Sequence, residues 1–160
     1  MIDIEIEDSA WTEALADAHA LVLAAADVTL ASEGAVGEGV SFLLTDDQSL
    51  RDLNRRFRQQ DKPTNVLSFP APQNPERFLG DVALAYGVCA REAAEQGKPL
   101  KNHLQHLVAH GVFHLLGYDH ETGAQAEEME GLERAVLAGL GIPDPYAAGE
   151  GENGRPRPIG

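Results

Sequence analysis

The sequence holds one cysteine, Cys89, two methionines, one tryptophan and only 6% aromatic residues. A single thiol cannot close an internal disulfide. Packing, with a bound metal if there is one, must hold the fold, which suits a reducing cytoplasm. Positive charge is scarce: 12 Lys and Arg stand against 26 Asp and Glu, a formal net charge of −14. That balance argues against a general nucleic-acid coat protein, because phosphate binding needs a positive surface. Long apolar runs are missing too. The longest stretch, Ala14 to Leu30, is broken by Asp17, His19 and Asp27 and does not read as a membrane span. The opening MIDIEIEDSA lacks the basic head and apolar run of a signal peptide, so a cytoplasmic protein with no membrane partner is expected. No aromatic stripe suggests base stacking, and Trp11 and the phenylalanines are expected in the core.

What is present suits one domain: 160 residues, 43% of them hydrophobic. MIDIEIE alternates apolar and acidic residues as a half-buried strand does. A helix capped by Asp8 or Ser9 is expected to run to about Leu30. VSFLLT reads as a second strand, and Asp46 or Asp47 caps a helix from Gln48 to Phe57. VLSF, closed by Pro70, and GDVALAY read as two more strands. Helices follow from Val88 to Gln96, from Pro99 to Leu116 and from Ala124 to Leu140, stopped by Gly97, Gly117 and Gly141. The expected fold is α+β: a single domain over residues 1–145, with a small four-stranded mixed sheet packed with about five helices. The tail, 146–160, has little to bury and is expected to be disordered.

Chemistry concentrates in HGVFHLLGYDH, residues 110–120, which holds three of the six histidines. His110 and His114 lie one helical turn apart on one face and can present two imidazoles to one ion. His106 shares that face, but it stands eight residues from His114, a rise of about 12 Å, and one ion can hardly meet both ends. His120 is the better third ligand. Gly117 can take a positive φ and turn the chain back, which brings His120 beside the first pair. The spacing H-x-x-x-H-x-x-G-x-x-H matches the frame of one class of zinc proteases. Three histidines with a vacant fourth position are the arrangement of a catalytic rather than a closed structural metal. The expected cofactor is one metal ion, zinc or another late first-row cation, on the helix and the turn that follows it; the alternative is a core or surface histidine set with no metal. In the protease motif a glutamate after the first histidine takes the proton from water. Here that position is Gly111, so peptide hydrolysis by that route is not supported. Asp119 and Glu121, flanking His120, read as turn residues, with acceptance from an imidazole N–H as the alternative role for either.

Five of the twelve basic residues, Arg51, Arg55, Arg56, Arg58 and Lys62, fall within twelve positions. Such a patch on an acidic body can grip a polyanion at one place, or it can simply be the solvated face of a helix.

HGVFHLLGYDH, together with LNRRFRQQDKPTNVLSFP (Leu53 to Pro70), LGDVALA (Leu79 to Ala85) and the EEME stretch, resembles the YbeY family of bacterial endoribonucleases, which are rRNA maturation factors. The resemblance covers Met1 to about Leu140. One departure is Asn65, where the family commonly has Asp; it reads as a turn or strand-start residue. The resemblance implies a metal-dependent, single-strand-specific endoribonuclease acting in 16S rRNA 3′-end maturation and ribosome quality control. It also implies zinc on His110, His114 and His120. The family's functional arginine lies in N-x-x-[FY]-R, here Asn54 to Arg58, which carries the role onto Arg58. A metal ion and a guanidinium both suit the negative charge that builds on a phosphoryl group. Arg51, Arg55 and Lys62 can follow the RNA backbone, and Ser68 can hydrogen-bond substrate, although strand packing suits it as well. The expected partners are single-stranded rRNA and the ribosome or its small-subunit proteins. Two other readings stay open: a metallohydrolase of peptides or small esters, and a ribosome-assembly binding factor whose metal is structural.

Overall fold

The structure, a computed structural model, describes residues 1–147; most of the expected tail, 148–160, lies outside the described residues. The elements run β1 (Ile2–Ile6), α1 (Ala10–Ala14), α2 (Ala18–Ser32), β2 (Gly39–Thr45), α3 (Asp47–Arg58), β3 (Val66–Pro70), β4 (Phe78–Ala85), α4 (Tyr86–Glu95), α5 (Leu100–Leu115) and α6 (Gly123–Gly139). The fold is α+β with one four-stranded sheet, ordered β1-β2-β4-β3. The pairs β1–β2 and β2–β4 are parallel, and β3 runs antiparallel to β4 along the edge, so the sheet is mixed as expected.

Six helices form among the described residues where about five were expected. The extra one comes from a break in the first predicted helix, where Leu15 takes extended backbone with φ −133° and ψ 95°. Trp11 explains the break. It is fully buried, and its indole N–H donates to the carbonyl of Thr45 at 3.1 Å. That anchor fixes α1 against the end of β2, while α2 must run along the sheet. Two further expectations need correction. Tyr146, placed in the tail, is buried. Phe57, placed in the core, is 62% exposed: it sits in the last turn of α3, off the face that buries Leu50 and Asn54, and meets Phe69 edge to face at 5.6 Å.

Strand alternation separates the two faces of the sheet. Ile4, Val40, Phe42, Leu44, Val66, Val82 and Leu84 pack with α2 and α5 in the main core. On the other face, Leu50 of α3 packs with Leu67, Ala83 and Ala85. A third cluster, built on Ala109, Phe113, Met129 and Val136, joins α6 to the outer side of α5. Helix α5 is therefore enclosed between the sheet and α6. Asp46 caps α3 by accepting from the Ser49 backbone N–H at 2.7 Å, and Thr122 and Gln125 form a reciprocal cap at the start of α6.

Candidate metal centre and nucleic-acid interface

Helix α5 runs from Pro99 to a stop at Gly117, whose φ of +106° lets the chain leave the helix at little steric cost. The backbone N–H of His120 then donates to Asp119 Oδ1 at 2.7 Å, which sets the turn. The outcome is a convergence: one ligand atom from each of His110, His114 and His120 lies within 4.8 Å of the others, the one such cluster found among the described residues. His110 is buried, His114 partly buried and His120 exposed, so the cluster opens to solvent on the side of the turn.

The tautomers fit a cation. His110 Nδ1 lies 2.7 Å from Glu133 Oε2, and a carboxylate only accepts, so Nδ1 carries the proton. His114 Nδ1 lies 3.0 Å from the carbonyl of Tyr118 and must also donate. Each ring, when neutral, then has a bare lone pair on Nε2, and these two atoms stand 3.1 Å apart. Two lone pairs cannot hydrogen-bond to each other. A tetrahedral ion with ligand bonds near 2.05 Å would want its nitrogens about 3.3 Å apart. Burial first, then the neighbouring His110 and His120, pushes His114 down to about 4, which keeps it unprotonated and able to ligate near neutral pH.

Gly111 follows His110 and faces the sheet. A Cβ there would come within 2.8 Å of Val82 Cγ1 and 3.3 Å of Ser68 Oγ. The position where a zinc protease holds its glutamate is therefore closed by the packing of α5 on β4.

Arg58 closes α3, and its Nη2 donates to the Ser68 carbonyl at 3.0 Å. Ser68 is buried in β3, and its hydroxyl donates to the Gly111 carbonyl at 3.3 Å. The structure thus joins Arg58 to the histidine helix through one strand residue. It also gives the Ser68 side chain a strand-to-helix contact rather than an open position. The rest of the basic patch is partly engaged. Arg51 pairs with Asp61 at 2.8 Å and Arg55 with Asp52 at 3.3 Å. The Arg56 guanidinium stands 5.5 Å from the centre of the Phe57 ring. Lys62 is exposed, and its carbonyl accepts from Asn54 Nδ2 at 3.0 Å.

Sequence reasoning missed Glu133. It lies with Met129, Val136 and Leu137 on the buried face of α6, and a carboxylate in an apolar stripe is the signal that could have found it. Asn65, the family departure, starts β3 as expected: its Oδ1 accepts from the Val66 N–H at 2.7 Å, and its Nδ2 donates to Glu92 Oε1 at 3.0 Å. On the far face of the sheet a groove of about 690 Å³ runs from Phe57 and Phe69 across Leu43 and Ala83, with Asp3, Glu5 and Asp81 at its walls. No cationic side chain lines it, so it repels phosphate. No helix among the described residues is long and apolar enough to cross a membrane.

An α+β domain with three converging histidines, the last of them exposed, defines a protein able to hold a metal ion in an accessible site. Comparison with known proteins places it further: the family model for Endoribonuclease YbeY matches residues 2–141, and the chain belongs to that family. A protein of Rhodopseudomonas palustris named Endoribonuclease YbeY is 52% identical, over 91% of this chain and 80% of its own length. One of the same name from Azorhizobium caulinodans is also 52% identical, over 91% of this chain and 96% of its own length. The solution structure of a Thermotoga maritima protein shares the fold, with a TM-score of 0.57 at 24% identity, covering 88% of this chain and 91% of that one.

Proposed function

We propose that the protein is a zinc-dependent, single-strand-specific endoribonuclease that matures the 3′ end of 16S rRNA and serves ribosome quality control in the cytoplasm. Membership of the endoribonuclease family supports the reaction class. The convergence of His110, His114 and His120, with Nε2 of the first two bare and opposed at 3.1 Å, is the observation that carries the reading. His110, His114 and His120 would hold a single Zn²⁺, which would supply positive charge for a phosphoryl oxygen and Lewis acidity towards water. Arg58 binds non-bridging phosphate oxygens in its planar fork and stabilises the charge that develops on them. Its bond to the Ser68 carbonyl holds the guanidinium on the side of β3 that leads to the histidine helix. Arg51, Arg55 and Lys62 track the RNA backbone, the first two by exchanging Asp61 and Asp52 for phosphates. Ser68 stays with Gly111 and is left out of the RNA contacts.

The acidic groove supports a second contact with the small subunit, through a basic segment of a ribosomal protein. A peptidase is disfavoured by the closed space at Gly111, and a purely structural metal by the exposure of His120. The test is metal analysis of the purified protein beside His114→Ala and Arg58→Ala, each assayed on single-stranded and duplex rRNA fragments. Zinc near one per chain, cleavage of single strands only, and loss of cleavage in both variants are expected. Full activity without bound metal would overturn the reading. Product ends decide the nucleophile: a 2′,3′-cyclic phosphate assigns it to the RNA 2′-OH, and a 5′-phosphate assigns it to water.

A further inference from the structure

Metal ligation by three histidines leaves a buried cluster behind the site unexplained. Glu133 is 0% exposed, and a carboxylate so placed is costly unless donors surround it. Three do. His110 Nδ1–H reaches Oε2 at 2.7 Å, His106 Nε2–H reaches Oε1 at 2.7 Å, and the Tyr146 hydroxyl donates to the same Oε1. Burial, with the Glu133 charge beside it, raises the Tyr146 phenol, which therefore donates its proton without losing it. His106 Nδ1 has no hydrogen-bond partner among the described residues, so that ring meets the cluster through Nε2 alone, which also lies 3.2 Å from the Tyr146 hydroxyl. Tyr146 is kept in place by Arg134, whose guanidinium lies 5.4 Å from the ring centre and whose Nε donates to Asp144 Oδ2 at 3.0 Å.

We propose that Glu133 is a positioning residue that sets the affinity of the His110–His114–His120 cluster for a divalent late first-row metal ion, and that the Tyr146 hydroxyl attenuates it. The proposal rests on the reading that these histidines hold the metal. The carboxylate fixes the His110 proton on Nδ1, leaves Nε2 bare, and by drawing on that proton makes Nε2 a stronger ligand. Its charge also offsets part of the charge of the ion. An oxygen that accepts from Tyr146 and His106 leaves the carboxylate less able to polarise His110. Removing the phenol hydroxyl returns that capacity to His110. An amide at position 133 does the opposite. Its single oxygen cannot serve every donor, its NH₂ faces other N–H groups, and the tautomer of His110 is no longer fixed.

The two variants should therefore move in opposite directions. Zn²⁺ affinity is measured by chelator competition, and ligand geometry by the visible absorption of Co²⁺ bound in place of Zn²⁺. Glu133→Gln should weaken Zn²⁺ binding about 10- to 100-fold and shift the Co²⁺ bands. Tyr146→Phe should tighten Zn²⁺ binding, by roughly threefold, for the loss of one hydroxyl that competes for the carboxylate. A structural role alone would weaken binding in both variants. If Glu133→Gln does not fold, Tyr146→Phe decides, and unchanged or weaker binding there overturns the proposal. A folded Glu133→Gln with wild-type affinity overturns it too. A wild-type protein that binds neither Zn²⁺ nor Co²⁺ overturns the reading of the cluster itself, a result distinct from a loaded wild type with indifferent variants.

Discussion

Gly111 and Val82 stand so close that a Cβ on the glycine would lie 2.8 Å from Cγ1 and 3.2 Å from Cγ2 of the valine, both branches of a stiff strand side chain. Helix α5 rests on the sheet at this point, one residue after His110. Gly111→Ala is expected to destabilise the fold by about 1–3 kcal/mol, the usual cost of overpacking, and to disturb His110 as the helix lifts. Thermal melts with and without Zn²⁺ check this, and a variant that melts like the wild type would show that the contact has slack. Gly111→Glu should fail to fold rather than gain peptidase activity.

Arg58 is exposed and touches the rest of the protein through the Ser68 carbonyl. Arg58→Ala should leave the melting temperature and the zinc content near those of the wild type, and lower RNA cleavage on the order of 10²-fold. Arg58→Lys should recover little, because an ammonium cannot span two oxygens in a fixed fork. Loss of zinc together with activity in either variant would assign Arg58 a structural role instead.

Acid should loosen the metal-free protein. His114 is held at about 4 against an ordinary 6.5, so between those values the unfolded chain binds the extra proton and the folded one does not. Stability should fall as pH drops from 6.5 towards 4, by about 1–2 kcal/mol for this ring after allowance for solvent screening at its exposed edge. His106, lowered by burial, acts in the same sense. Glu133 adds a further loss below its ordinary 4.5, because its folded carboxyl is held lower still and the unfolded chain takes up the proton first. Urea titrations of metal-free protein at pH 7.5, 5.5 and 4.5 measure this. His114→Asn should flatten the upper part of the profile, and a wild-type profile already flat from 7.5 to 4.5 would contradict the assignment.

Asn65 donates to Glu92 Oε1 at 3.0 Å, and His103 Nε2 meets the same oxygen at 2.9 Å. An aspartate at position 65 would turn that donor into a second negative acceptor. Asn65→Asp is expected to cost about 1–3 kcal/mol at pH 8 and less at pH 5, where the introduced carboxyl, pressed against another carboxylate, takes up a proton more readily. Denaturant melts at the two pH values test the sign, and a cost that grows in acid would exclude the mechanism.

The sequence made the histidine cluster legible because its spacing encodes geometry: four residues on a helix, then a glycine that permits the turn. Local signals also served for β1, whose alternation matches its burial, and for the helix stops at Gly97, Gly117 and Gly141, all with positive φ. Tertiary causes stayed hidden. The break between α1 and α2 depends on an indole reaching the end of β2, with no glycine or proline to announce it. Strand order and the antiparallel edge depend on pairing between distant segments. Glu133 sits past the quoted EEME stretch and gains its meaning only when α6 docks on α5. Tyr146 looked like tail because the residues after Tyr146, rich in glycine and proline, dominate the composition there.

Twelve of the sixteen residues of α5 are buried, and two of the three ligands ride on that helix. Rigidity of the cage and integrity of the interior are consequently one property. A change that shifts the helix by a fraction of an ångström would retune the chemistry before it unfolded anything. His120, the exposed member of the trio, stands outside that interior, so a change there would alter the cluster at little cost to the packing.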